Sequence, residues 1–320
     1  MGKGAGMSTT FENFTGHSKL GALDQVDVIG EIAREAGALP QIQLSYEAGI
    51  KLLWLTIRPQ PKPVFTYDML KSITSVQRAL RSLWGGEDDY NSSPVRYLAY
   101  RADGPIFSLG GDLDFYLDCL SKADRSAFEE YAEVVLEAVT SNASGVGGSL
   151  ITLASIQGNA LGGGIDAPCS CNFVVAAEHA IFSYPEVKFN HAPITATSVM
   201  SRRVGNREAH KMLASGREYT AAQFEALGAI DLVAPSGGSD DSVRRFAADT
   251  LPMHSARLTL NDAFYRRAGD LHAELKPLAK LWVESMMRLS PMQISRLQRL
   301  AVAQERMMQF IFAEKPVSVS

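Results

Sequence analysis

Asp166 and Glu186 are two carboxylates twenty positions apart, and each follows a stretch suited to chemistry on a developing negative charge. Asp166 closes the run Gln157-Gly158-Asn159-Ala160-Leu161-Gly162-Gly163-Gly164-Ile165-Asp166, in which an apolar segment, Leu150–Ile156, feeds a turn with four glycines in seven residues. Glycine tolerates positive φ, and without a Cβ it lets a ligand reach the backbone N–H groups directly. A helix opening at Gly163–Asp166 adds unpaired first-turn donors and the positive end of its dipole, which suits a phosphate or an oxyanion. Taken alone, the glycine run equally describes a tight strand-to-helix turn. The carboxylates tip the reading towards proton transfer beside a stabilised anion.

The run GNALGGGID, the upstream Ile106-Phe107-Ser108-Leu109-Gly110-Gly111-Asp112 and the segment Tyr184–Phe189 (YPEVKF) together resemble the crotonase (enoyl-CoA hydratase/isomerase) superfamily. Within it the likeness is nearest to the diffusible-signal-factor synthases of bacterial quorum sensing, which carry FxLGGDL, QGNALGGG and PEVxF-type segments. Leu281-Trp282-Val283-Glu284 and Arg296-Leu297-Gln298-Arg299-Leu300 look like that group's tail, and the likeness spans roughly residues 45–310. It implies an α/β fold, a crotonase-type spiral of ββα units with a C-terminal helical region that completes an acyl pocket and a homotrimer or dimer-of-trimers contact.

The resemblance also implies roles. The enolate oxygen of a thioester needs fixed donors in a dry site, and motif matching assigns this oxyanion hole to the Ser108 and Gly163 amides. Asp166 and Glu186 match the two catalytic glutamate positions, with Glu186 the principal acid or base. Aspartate at 166 is one methylene short, and about 1 Å of lost reach costs on the order of 10² in rate when nothing compensates. Capping of the helix start is the structural alternative for Asp166, and an ion pair with Lys188 or an arginine that for Glu186. In Asn190-His191-Ala192-Pro193-Ile194-Thr195, Ile194 stands where many relatives have glycine. His191 is a third candidate acid or base, although a lone loop histidine is more often structural. Tyr116 and Tyr184 are candidates for lining the pocket.

The implied reaction is dehydration of a 3-hydroxyacyl thioester or hydration of the enoyl form. Thioester hydrolysis would then release a cis-2-unsaturated fatty acid signal. No cofactor is expected; acyl-CoA or acyl carrier protein thioester serves as substrate. Decarboxylation or C–C cleavage on the same fold is one alternative, and a catalytically idle homologue that binds a signalling protein is another.

Composition bounds these readings. With 46% apolar and 21% charged residues the chain is ordinary for a globular protein, and a net charge of −4 offers no general attraction to nucleic acid or an anionic membrane surface. Three cysteines, Cys119, Cys169 and Cys171, form neither a disulfide framework nor a zinc spacing. No apolar run reaches the ~18 residues of a membrane span, and the N-terminus lacks a signal-peptide pattern; a cytoplasmic location is the simplest expectation.

The elements that must position the site follow from periodicity. Residues 1–40 form an extension with one helical candidate, Leu23–Ala36. A core over 41–237 opens with a hairpin (Gln41–Tyr46, Lys51–Ile57) and continues through an amphipathic helix over Thr66–Leu83 and a charged surface loop over Gly85–Ser93. Strand, glycine turn and helix then recur at Val95–Asp112 and Leu150–Asp166, with short strands at Phe173–Ala176 and Ala180–Ser183. Thr220 and Gln223 have the spacing of a capping box. Residues 238–320 read as helical, most clearly over Leu278–Leu289 and Met292–Phe312.

Overall fold

The computed structural model describes residues 27–58, 60–86 and 93–313. The first 26 residues, including the start of the helical candidate over Leu23–Ala36, and the middle of the charged loop (87–92) lie outside them. In chain order come α1 (Val28–Ala36), β1 (Ile42–Glu47), β2 (Leu52–Ile57), α2 (Tyr67–Trp84), β3 (Tyr97–Ala102), β4 (Ile106–Ser108), α3 (Leu113–Lys122) and α4 (Arg125–Ala143). A single turn, α5 (Gly145–Gly148), leads to β5 (Ile151–Ile156), β6 (Asn159–Leu161), α6 (Gly163–Cys169), β7 (Phe173–Ala177), β8 (Ile181–Ser183) and a 3-10 turn, Pro185–Phe189. Then follow α7 (Ala196–Val204), α8 (Asn206–Ser215), β9 (Glu218–Thr220), α9 (Ala221–Leu227), β10 (Leu232–Ala234), α10 (Ser239–Thr250), α11 (His254–Ala268), α12 (Leu271–Met287) and α13 (Pro291–Ala313).

Six strands form one sheet in the order β1-β2-β3-β5-β7-β10, with β1 and β2 antiparallel and the remaining neighbours parallel. Parallel strands covered on both faces are apolar throughout, and β2 and β5 are buried at every position. The two-residue side-chain period divides them between two cores. Leu53, Leu55 and Ile57 pack with α2 and α4, while Leu52 and Trp54 join Val243 and Ala247 of α10 and Leu258 of α11 on the opposite face. Val28 and Ile32 of α1, and Leu275, Trp282 and Met286 of α12, lie in the first of these cores, so the extension, the central segment and the C-terminal helices share packing.

Four three-residue strands form the second sheet, β4-β6-β8-β9, in which β9 runs antiparallel to β8. This sheet carries the glycine turns. Here α6 starts directly after β6, and its Gly164 rests on β4: a Cβ there would lie 2.7 Å from the Ser108 carbonyl oxygen and 2.8 Å from the Ser108 Cβ. Neither neighbour is the flexible end of a side chain. We expect Gly164→Ala to destabilise the protein by about 1–3 kcal/mol, the usual range for overpacking, read as a lower denaturation midpoint. A variant as stable as the parent would show that β4 and α6 are not in fixed contact.

Candidate active site

Because β4 and β6 are parallel neighbours, with Ser108 beside Ala160, the turns after them emerge side by side. Several turn amides are already committed. The Leu109 N–H donates to the Pro63 carbonyl at 2.6 Å, the Gly110 N–H to the Ser108 Oγ at 3.1 Å, and the Gly162 N–H to the Ser183 carbonyl at 2.8 Å. The next amides along the two turns belong to Gly111 and Gly163, which both line one cavity, and a Cβ built on Gly163 would lie 4.0 Å from the Gly111 nitrogen.

Ser108 itself stands apart. It is 1% exposed, within the β4–β6 ladder, and absent from the cavity wall. The resemblance assigns a donor to Ser108, but Ser108 shapes the turn through its hydroxyl, and Gly111 of that motif lines the cavity. Ser108 is held by its pairing with β6, a contact that no spacing within the motif reveals.

Glu186 reaches the cavity from the 3-10 turn that follows β8, with Pro185 at the turn's start. Its carboxylate lies over Gly162, which has φ +53°: a Cβ at that glycine would be 2.1 Å from Oε1. Glycine is needed there both for the backbone angle and for the space. Glu186 Oε2 is buried without a hydrogen-bond partner. Burial pushes the carboxyl up to about 8, the nearby Asp166 charge adds to the rise, and the amides of Glu186 and Gly163 oppose it. Burial thus favours the protonated form of Glu186.

Asp166 lines the same cavity but is held differently. At 2% exposure in the first turn of α6, it accepts the Tyr184 hydroxyl at 2.6 Å on one oxygen and the Thr195 hydroxyl at 2.7 Å on the other. Burial raises it to about 6, less than Glu186, because both hydroxyls favour the charged form. Tyr184 thus acts behind the cavity wall and not as lining, while Thr195 contributes to the wall. His191 also lines the cavity, between the rings of Tyr116 and Trp282 with centroids at 6.0 and 5.9 Å. Burial lowers it to about 4, so it is neutral at pH 7.

The rest of the cavity is apolar. Phe65, Leu70, Tyr116, Tyr131 and Val135 form its walls, and Leu297, Leu300, Ala303 and Gln304 of α13 close one side. The three cysteines are buried and carry free thiols. Among the described residues there is no cluster of three or more His, Cys, Asp or Glu able to hold a metal, and no helix long and apolar enough to cross a membrane.

The chain has recognisable relatives in sequence and in fold. Residues 101–279, more than half of the chain, match the family model described as enoyl-CoA hydratase/isomerase. An enoyl-CoA isomerase/hydratase of Mycosarcoma maydis is 34% identical over 170 residues, covering 52% of this chain and 59% of that protein. A mevalonyl-coenzyme A hydratase of Beauveria bassiana is 29% identical over 198 residues, covering 58% and 69%. The chain thus spans 59% and 69% of the length of these two relatives. In fold it is similar to the crystal structure of enoyl-CoA hydratase from Bacillus halodurans, with a TM-score of 0.68, 19% identity, and coverage of 81% of this chain and 99% of that one. The mixed α/β architecture with its helical C-terminal region is therefore a crotonase fold, and the chain belongs to the enoyl-CoA hydratase/isomerase family.

Proposed function

We propose that the protein adds water across the double bond of an enoyl thioester, or removes it from the 3-hydroxyacyl form, with Glu186 as the single proton-transfer group. The observation that carries this reading is the buried, partnerless Oε2 of a cavity-lining carboxyl that burial shifts towards its protonated form. In the hydration direction the Glu186 proton goes to Cα, water bonds to Cβ, and the water's surplus proton returns to the Glu186 carboxylate. Charge that builds on the thioester oxygen is met by the Gly111 and Gly163 amides; donors of this kind are each worth about 10²–10³ in rate. Dehydration is the same path reversed. Asp166, anionic and fully hydrogen-bonded, supports Glu186 through its charge instead of moving a proton itself.

A second reading, migration of the double bond along the chain, is favoured by the same engagement of Asp166. With both Asp166 oxygens occupied, one carboxyl is left, which in its ionised form takes a proton from one carbon and returns it to another, and no water is required. The finer reading implied by the motifs adds hydrolysis of the thioester to release a cis-2-unsaturated acid from acyl-CoA or acyl carrier protein. Mass spectrometry of products from 3-hydroxyacyl and enoyl substrates on both carriers distinguishes these reactions: water gained or lost, mass unchanged with a shifted double bond, or free acid. Absence of all three products would overturn the enzyme reading and leave the idle-homologue alternative.

We expect Glu186→Gln to lower kcat/KM by about 10²–10⁴, the usual contribution of a general acid–base group. Asp166→Asn should cost less and move the profile. Activity that needs protonated Glu186 falls as pH rises through about 8, and removing the Asp166 charge brings that fall to lower pH. An unshifted alkaline limb in Asp166→Asn would separate the two groups. Stability gives an independent check. The folded-state pKa of Glu186 is raised above its ordinary 4.5, so its contribution is fully present below about pH 4.5 and is lost as pH rises through about 8. Thermal melts of Glu186→Gln should therefore gain on the parent protein between pH 5 and pH 8, and a constant difference across that range would contradict the buried protonated form.

A further inference from the structure

We propose that the cavity takes acyl chains of medium length and that Ala138 sets where the chain must end. The inference rests on the acyl-thioester reading and adds the class of acyl group. Two walls lead inward from the reacting end. One is α6, which contributes Gly163, Asp166 and Ala167; the other is α4, which contributes Tyr131, Val135, Ala138 and Val139. Tyr131 marks the reacting end, because its hydroxyl donates to the Phe65 carbonyl at 3.0 Å and Phe65 is bridged to Gly111. Val139 lies eight residues further along α4, about 12 Å at the helical rise.

There the walls are tied together. The Gln77 Nε2, with two hydrogens, lies 3.1 Å from the Ala138 carbonyl, 2.8 Å from the Asn142 Oδ1 and 2.9 Å from the Tyr100 hydroxyl, while its Oε1 has no partner. Asn142 in turn donates to the Ala167 carbonyl at 3.1 Å. Gln77 and Asn142 are 1% and 3% exposed, so the cluster is a dry, hydrogen-bonded stop behind the last apolar lining residues. An alkyl terminus pushed into it would break buried hydrogen bonds and replace none of them, at about 1–3 kcal/mol for each group left unpaired, a loss of roughly fivefold or more. Ala138 both lines the cavity and offers its carbonyl to this stop, and its side chain is small. At roughly 1.3 Å per carbon of an extended chain, from standard bond geometry, a 12 Å path holds about nine carbons.

The experiment measures kcat/KM for crotonyl-, decenoyl- and hexadecenoyl-CoA with the parent protein, Ala138→Leu and Val139→Ala. Decenoyl should be the best substrate of the parent. Ala138→Leu fills the end of the path, and at about fourfold per displaced methylene the decenoyl to crotonyl ratio should fall tenfold or more. Val139→Ala, a change that removes volume and does not overpack, should raise the hexadecenoyl to decenoyl ratio. An unchanged ratio in both variants, or a parent that prefers hexadecenoyl-CoA, would overturn the inference. A parent that turns over no chain length would instead overturn the proposed reaction. In that case the same ratios, read as thermal stabilisation by saturated acyl-CoAs of the three lengths, decide the chain-length question separately.

Discussion

A helix start pressed against a strand end governs this site. The first turn of α6 sits on the end of β4 because Gly164 has no side chain to hold it off Ser108. From that approach follows the pairing of two turns that are fifty residues apart in sequence, and with it the proximity of the Gly111 and Gly163 amides. A backbone donor cannot be moved by choosing a rotamer; it goes where its strand and helix go. Two donors aimed at one point therefore demand rigid scaffolding, and here a small sheet of three-residue strands lies beside a six-stranded sheet buried on both faces. Each short strand would be marginal alone. Its place is fixed by packing against the larger core.

The same burial that dries the amides acts on the two carboxylates, and what divides them is their hydrogen bonds. Both are raised by loss of water, but Asp166 receives two hydroxyl donors and settles at about 6, whereas Glu186 keeps an oxygen without a partner and reaches about 8. Two equivalent buried carboxylates would compete for charge. Unequal donors resolve the competition in advance by stabilising the anion at Asp166 and the proton at Glu186. The partnerless oxygen costs stability, in keeping with the tendency of reactive groups to be held in strained or unsatisfied surroundings.

Much of this was visible in the order of residues, and the parts that were not share a cause. Glycine runs, the carboxylates at 166 and 186, the capping box at Thr220 and the hairpin are local patterns, and each is found where its spacing placed it. The choice between Ser108 and Gly111 was hidden because it depends on the pairing of Ser108 with β6, and the restraint on Asp166 was hidden because Thr195 comes from a loop 29 positions later. The strand β9 is too short to show alternation. Helical pattern is clearest over Leu278–Leu289, yet α12 runs from Leu271, started by Asp270, which caps the His272 and Ala273 amides, and it contains Pro277. A strong cap and a buried Leu275 outweigh a proline in the second turn.

The C-terminal helix connects these two levels. Leu297, Leu300 and Gln304 of α13 close the cavity side that faces the Glu186 turn, so the dryness that favours the protonated form of Glu186 depends on where α13 lies. Its seating is partly ionic. Lys62, 4% exposed, lies between Asp114 of α3 at 2.5 Å and Glu305 of α13 at 3.4 Å, while both carboxylates remain half exposed. A buried ammonium held by two carboxylates is costly to leave unpaired, whereas the exposed partners lose little by parting. The asymmetry favours α13 staying down, and it ties the acidity of Glu186 to the closed cavity, since burial is the largest cause of that carboxyl's raised pKa.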